Sequence, residues 1–278
     1  MINFEVKPGG VLRGELRVPG DKSISHRSVM LGSLAEDITE VHGLLEGDDV
    51  LATIGAFKAM GVQMDGPDNG HLLIHGVGMN GLKPPTADLD MVNSGTAMRL
   101  MSGVLAGQNF DSVLIGDASL SKRPMARVTE PLVLMGANID TQQGGRPPLR
   151  IYGGSPLQGI SYDLPMASAQ VKSCLLLAGM YANGTTTVTE PAPTRDHTER
   201  MLNGFGYTVE TRGNSMSIVG GGSLKACKID VPADISSAAF FMVGAAMTPG
   251  SDLLLKHVGI NPTRIGVLNI LKLMGADI

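Results

Sequence analysis

The side chains best suited to chemistry stand in short polar segments, each placed at the start of an apolar run. Gly20-Asp21-Lys22-Ser23-Ile24-Ser25-His26-Arg27 follows a Pro-Gly turn. Ser23 and Arg27 are four residues apart, so they share a face if the segment is helical. A helix start offers unpaired N–H groups and the positive end of the dipole, which favour an anion. Lys22 adds a point charge, and Arg27 adds a fork that fits carboxylate or phosphate. A serine-capped surface helix with solvated charges would explain this segment equally well. In Asn93-Ser94-Gly95-Thr96-Ala97-Met98-Arg99, Gly95 lets a ligand approach the backbone. Asn93 and Thr96 offer hydrogen bonds there, whereas Arg99 is expected to make structural pairs. Lys122 and Arg123 precede Pro124 and a helix, again a place for an anion. Ser168-Ala169-Gln170-Val171-Lys172 opens a further apolar run, with Ser168 and Lys172 at i, i+4. In the segment 194–200, Arg195 is expected to face outward, with His197 and Glu199 as cap and surface residues.

These segments need elements that bring them together, and a repeat supplies them. Gly61, Gly136, Gly206 and Gly275 recur roughly every 70 residues in like contexts: AFKAMGVQM, PLVLMGANI, MLNGFGYTV and ILKLMGADI. Each reads as the end of an amphipathic helix, a glycine stop and a short strand. A polar start and an apolar helix precede each: 25–35, 95–106, 168–181 and 235–247. Strands follow at ITEVHGL, SVLIGD, TTTVTEP and DLLLKHV. Return hairpins turn at DNG, GGRPP and RGN. One unit is therefore β-α-β-α-β-β, and no unit can bury its apolar face alone. The fold class is α/β. Residues 20–229 are expected to form a three-repeat substrate-binding domain. Residues 1–19 and 230–278 would belong to an incomplete second one. The fourth unit reaches Ile278 without a return hairpin, so a C-terminal portion is expected to be missing. In register, the polar starts would gather Lys, Arg, Ser, Gln and Asn on one domain face. The ligand they imply is small, polar and multiply anionic.

Composition narrows the choice. A net charge of −4 over 278 residues gives no general affinity for nucleic acid. The absence of Trp and an aromatic content of 4% argue against a base-stacking surface. No apolar run is long enough to span a membrane, and the N-terminal stretch alternates like a strand rather than a signal peptide. Two cysteines, Cys174 and Cys227, without CxxC spacing make a disulfide framework or zinc site unexpected and fit a cytoplasmic protein. Gly76-Val77-Gly78-Met79-Asn80-Gly81 matches GxGxxG, but Pro84-Pro85 forbids the helix that a dinucleotide fingerprint requires.

PGDKSISHR, NSGTAMR, GDASLSKRP, PMASAQVKS, TRDHTE and NPTR together resemble the EPSP synthase (3-phosphoshikimate 1-carboxyvinyltransferase) family over essentially the whole chain. The resemblance implies the inverse α/β barrel fold of two three-unit domains, one complete here and the other incomplete. It implies transfer of the enolpyruvyl group from phosphoenolpyruvate (PEP) to the 5-hydroxyl of shikimate 3-phosphate, with release of phosphate and no metal or organic cofactor. By matching positions, Lys22, Ser23, Arg27, Ser168, Ala169, Gln170 and Arg195 would hold shikimate 3-phosphate. Lys22, Asn93, Gly95, Thr96, Arg123 and Gln170 would meet PEP, and Lys22 would be catalytic. Some family members carry alanine at the Gly95 position, which hinders glyphosate, so Gly95 implies a glyphosate-sensitive site. A monomer is expected. The family's acidic catalytic residues and further PEP-binding cations would lie beyond Ile278. The chain alone is thus expected to show negligible turnover with weak shikimate 3-phosphate affinity. Two rivals stay open. One is the UDP-N-acetylglucosamine enolpyruvyl transferase, whose reactive cysteine loop is not matched around Ser119–Pro124. The other is a non-catalytic anion-binding domain.

Overall fold

The structure, a computed structural model, describes Glu5 and residues 9–278. Strand β1 (Arg13–Leu16) comes first. The first repeat holds α1 (Lys22–Leu34), β2 (Ala35–Glu36), β3 (Ile38–His42), α2 (Asp48–Ala59), β4 (Gln63–Asp68) and β5 (His71–His75). The second holds β6 (Leu89–Asp90), α3 (Gly95–Ala106), β7 (Ser112–Ile115), α4 (Ala126–Leu134), β8 (Asn138–Gln142) and β9 (Arg146–Tyr152). The third holds β10 (Ser161–Asp163), α5 (Ala169–Gly179), β11 (Thr185–Thr189), α6 (His197–Gly204), β12 (Val209–Arg212) and β13 (Ser215–Val219). Strands β14 (Leu224–Lys225) and β15 (Lys228–Asp230) follow, then α7 (Ile235–Met247), β16 (Asp252–Leu255) and α8 (Gly266–Leu273).

The four repeat glycines stop helices as expected. Gly61, Gly136, Gly206 and Gly275 have φ of +89°, +101°, +79° and +89°, a left-handed conformation that costs glycine little. Each follows the C-cap of α2, α4, α6 or α8 by one residue. The polar starts behave as caps. Ser94 accepts from the Ala97 N–H and Ser168 from the Val171 N–H. Helix α1 begins at Lys22, three residues before the expected Ser25, so Lys22 and Ser23 lie inside its first turn. Helix α5 is shorter than expected, because Ser168 caps it and Met180 closes it. No helix follows the GxGxxG look-alike before α3.

Contacts divide the chain into residues 22–231 and residues 1–21 with 232–278. In the first unit three sheets share one plan, β15-β3-β5-β4, β6-β7-β9-β8 and β10-β11-β13-β12. A leading strand runs parallel to the strand after the first helix, and the return hairpin adds antiparallel. The first repeat departs from the sequence pattern. Its leading strand is β15, from the far end of the unit, because β1 pairs with β16 of the fourth repeat. The unit thereby closes on itself.

Helices α1, α3 and α5 form the interior. Every residue of α3 except Thr96 is buried, and every residue of α5 except Gln170. The buried cations of these three helices, Arg27, Arg99 and Lys172, are tolerated there because each has hydrogen-bonded or charged partners. At Gly103 an added Cβ would stand 2.2 Å from the Cys174 carbonyl oxygen, so α3 and α5 pack backbone to backbone. Helices α2, α4 and α6 bury one face and expose the other. The second unit pairs β1 with β16 in parallel and packs Val18, Ile235, Ala238, Met242 and Leu271 into a small core. Arg264 of the NPTR segment reaches Asp21 at 2.7 Å and Asp234 at 3.0 Å and also bonds Ser236, so Asp21 is a structural anchor. Among the described residues no helix is long and apolar enough to cross a membrane.

Candidate active site

The N-terminal turns of α1, α3 and α5 are tied together pairwise. His26 of α1 lies 3.3 Å from the Ser94 hydroxyl that caps α3, and its other ring nitrogen lies 2.8 Å from Thr53 Oγ1 of α2. Gln170 of α5 donates to Thr96 Oγ1 of α3 at 2.9 Å. Arg27 of α1 donates to Ser173 Oγ of α5 at 2.7 Å. Three helix starts thus meet at one end of the unit with their backbone N–H groups and positive dipole ends together. Thr96 and Gln170, each the lone residue of its helix that is not buried, face each other at this meeting point.

Around the start of α3 the cations crowd. Arg99 donates to the Gly95 carbonyl at 3.2 Å and to Gln170 Oε1 at 2.9 Å. A Cβ on Gly95 would lie 2.8 Å from Arg99 Nη1 and 3.3 Å from Arg123 Nη1, so glycine fits between two guanidinium groups. Burial, then the Arg127 and Arg123 charges, pull the Arg99 pKa below its usual value. Like charges held this close favour an anion in their midst. Arg123 is aimed by Asn93, whose Oδ1 it meets at 2.5 Å. Asn93 in turn donates to Asp117 at 2.7 Å. Asp117 accepts from the N–H groups of Ser119 and Leu120 at 2.9 and 2.7 Å, and these bonds, the Leu120 one first, hold its carboxyl below the ordinary range.

Around α1 a second set forms. Arg195 donates to Ser23 Oγ at 3.2 Å, which brings the third repeat's loop onto the first helix. Lys22 pairs with Asp49 at 2.9 Å while about half its side chain stays exposed. Arg27 differs from an open fork. It is buried and donates to Thr198, the Ser23 carbonyl and Ser173, at 2.6, 2.8 and 2.7 Å. It therefore joins α1, α5 and α6. Ser168 uses its oxygen as the α5 cap, and the adjoining Ala169 contributes backbone to the first turn.

Glu199 and His197 correct the sequence expectation, for both are buried rather than superficial. Glu199 meets Lys172 at 2.7 Å, and Lys172 also meets Glu190 at 3.2 Å. Lys172 is thus an interior counter-ion, not part of an anion-binding face. Glu190 accepts from the Thr194 N–H and hydroxyl at 2.9 and 2.6 Å, which holds the loop that carries Arg195. Sequence patterns did not single out Asp49, Asp117, Arg127, Ser173 or Thr198.

Converging helix starts, ringed by guanidinium, ammonium and amide groups, give this α/β domain a concentration of N–H donors and positive charge at one end, an arrangement that suits anions. The sequence profile described as EPSP synthase (3-phosphoshikimate 1-carboxyvinyltransferase) matches residues 6–278. The 3-phosphoshikimate 1-carboxyvinyltransferase of Methylococcus capsulatus is 69% identical over 277 residues, 100% of this chain and 63% of that relative. The same-named protein of Hydrogenovibrio crunogenus is 67% identical, with 100% and 63% covered. A solved EPSP synthase from Acinetobacter baumannii superposes with a TM-score of 0.93 at 64% identity, over 97% of this chain and 61% of that one. The chain belongs to the EPSP synthase family and has its fold. It spans about 63% of the length of these curated relatives.

Proposed function

We propose that this chain carries the acceptor-binding part of an enolpyruvyl transferase, which moves the enolpyruvyl group of PEP onto the 5-hydroxyl of shikimate 3-phosphate and releases phosphate. The observation that carries this reading is the meeting of the α1, α3 and α5 starts, linked through His26–Ser94, Gln170–Thr96 and Arg27–Ser173. Shikimate 3-phosphate fits the side formed by Lys22, Ser23, Arg195 and the first turn of α5 with Ser168, Ala169 and Gln170. Arg27 acts there by fixing Ser23 and Ser173. PEP fits beside Gly95, Thr96, Asn93 and Gln170, with Arg123 on its phosphate. In this reading Lys22 lies beside both ligands and offsets the charge that builds up as the hydroxyl gives up its proton and its oxygen bonds to C2 of PEP, C3 gains a proton, and phosphate then departs as C3 loses one. Glyphosate, itself a small carboxylate and phosphonate, fits the PEP side. A monomer in the cytoplasm is the proposed state.

The rival acceptor, UDP-N-acetylglucosamine, finds less support. Cys174 is fully buried with its thiol pKa pushed up by burial, and Cys227 is likewise raised. Neither lies in the 116–124 loop. Calorimetric titration with shikimate 3-phosphate and with UDP-N-acetylglucosamine separates the readings. Saturable binding of the first alone is expected, weakened at least about tenfold by Arg195→Ala. Binding of the nucleotide sugar alone would favour the rival, and binding of neither would overturn the substrate reading.

A further inference from the structure

The outer face of the first sheet carries a group that takes no part in the helix-start contacts. Glu40 and His42 are two apart on β3 and point to the same side, because strand side chains alternate. The antiparallel register, which pairs Val41 with Leu72, puts His42 opposite His71 of β5. The two imidazole rings lie 4.8 Å apart, centroid to centroid. Glu40 Oε1 lies 3.1 Å from His42 Nε2 and 3.4 Å from His71 Nε2. Lys228 of β15 approaches the other carboxylate oxygen, Oε2, at 2.8 Å, which leaves Oε1 turned to the imidazoles.

We propose that Glu40, His42 and His71 form a binding site for a first-row divalent cation, with zinc as its natural fit. Two imidazole nitrogens and one carboxylate oxygen are the ligand set that zinc accepts, with water in the fourth position. All three ligand atoms lie within 4.8 Å of one another. Around a tetrahedral ion with bonds of about 2 Å, ligand atoms stand roughly 3.4 Å apart. The two Glu40 contacts already have that spacing, so only the imidazoles need to draw together. The strands beneath are hydrogen-bonded in fixed register, so the ligands are held by sheet rather than by loop. Thr39 and Val41 face the core and anchor β3, and Leu72 does the same for β5. A bound ion would clamp β3 to β5 and compete with Lys228 for Glu40.

Titrating zinc chloride into the metal-stripped protein, followed by calorimetry, tests the site. One equivalent is expected to bind, with affinity cut at least about tenfold in either His42→Ala or His71→Ala. His75→Ala, on the same strand but paired with Asp65 at 2.7 Å, is expected to bind like the parent. Lys228→Ala frees the second carboxylate oxygen and is expected to bind more tightly. Melting in EDTA shows whether each variant is folded, and zinc is expected to raise the midpoint of the parent and not of His42→Ala. Parent-like affinity in both His42→Ala and His71→Ala, or loss of binding in His75→Ala, would overturn the assignment.

Discussion

Gly95 shows how much a single missing methyl can decide. The space its Cβ would fill is bounded by Arg99 Nη1 at 2.8 Å and Arg123 Nη1 at 3.3 Å. Both are ends of flexible side chains, so alanine is accommodated, but only by turning the forks away from their present aim. Gly95→Ala is expected to fold normally and to keep its affinity for shikimate 3-phosphate. Affinity for glyphosate, titrated with shikimate 3-phosphate present, is expected to fall about tenfold or more, equivalent to about 1.4 kcal/mol. An unchanged glyphosate constant would count against the placement of the PEP side at Gly95. Asn93→Ala tests the same fork from behind. It removes the oxygen that aims Arg123, so PEP affinity is expected to drop. What was legible here was position: a serine cap before an apolar run puts Asn93, Gly95 and Thr96 at a helix start. Arg27 was half legible. Its i, i+4 spacing from Ser23 was visible, but its bonds to Ser173 and Thr198 join residues 146 and 171 positions away, which no local pattern encodes.

At the scale of elements, α6 and its loop depend on an ion group that the sequence disguised. Helix α6 reads as HTERMLNG, a polar start that ordinarily faces water. Here Glu199 points inward because α5 presents Lys172, 1% exposed, between Glu199 and Glu190. Removing the cation strands two carboxylates in the interior. Lys172→Met is therefore expected to cost about 3–5 kcal/mol in a urea melt, as for other buried pairs that lose one partner. Glu199→Gln leaves the Lys172–Glu190 pair intact, and Glu199 Oε2 has no hydrogen-bond partner among the described residues. That variant is expected to lose less than about 1.5 kcal/mol. Equal losses in the two variants would mean that packing, not charge, holds α6. The boundaries of α3 and α7 were legible to the residue because capping side chains, Ser94 and Asp234, stand just before them. The leading strand of the first repeat was not. Strand β15 lies some 190 residues along the chain from β3, and two short strands carry too little pattern to reveal which partner each takes.

Across the whole three-repeat unit, the helix starts stay together through a histidine that must remain neutral. His26 is 0% exposed and sits between Thr53 and Ser94, and burial, only partly opposed by Asp49, lowers its pKa to about 3. In the unfolded chain the same group titrates near 6.5. Above that value it is neutral in both states and adds no pH dependence. As pH falls from 6.5 toward 3 the unfolded state binds a proton that the folded state refuses. Stability must then decline, by up to about 1.4 kcal/mol per pH unit. Carboxylates whose folded pKa values are depressed, such as Glu40, Asp65 and Asp117, act in the same direction but lower down. Their contributions persist until pH falls below their unfolded values of 4.5 and 3.8. The window from pH 6.5 to 5 therefore belongs to His26 among these groups. Urea midpoints measured across it are expected to fall for the parent and to stay nearly level for His26→Asn, whose amide can still bridge Thr53 and Ser94. The variant starts from a lower stability at pH 7, so the slope, not the absolute midpoint, is the quantity that decides. Equal slopes would show that His26 takes up its proton inside the fold, and that a charged imidazole can sit among three helix starts whose dipoles oppose it.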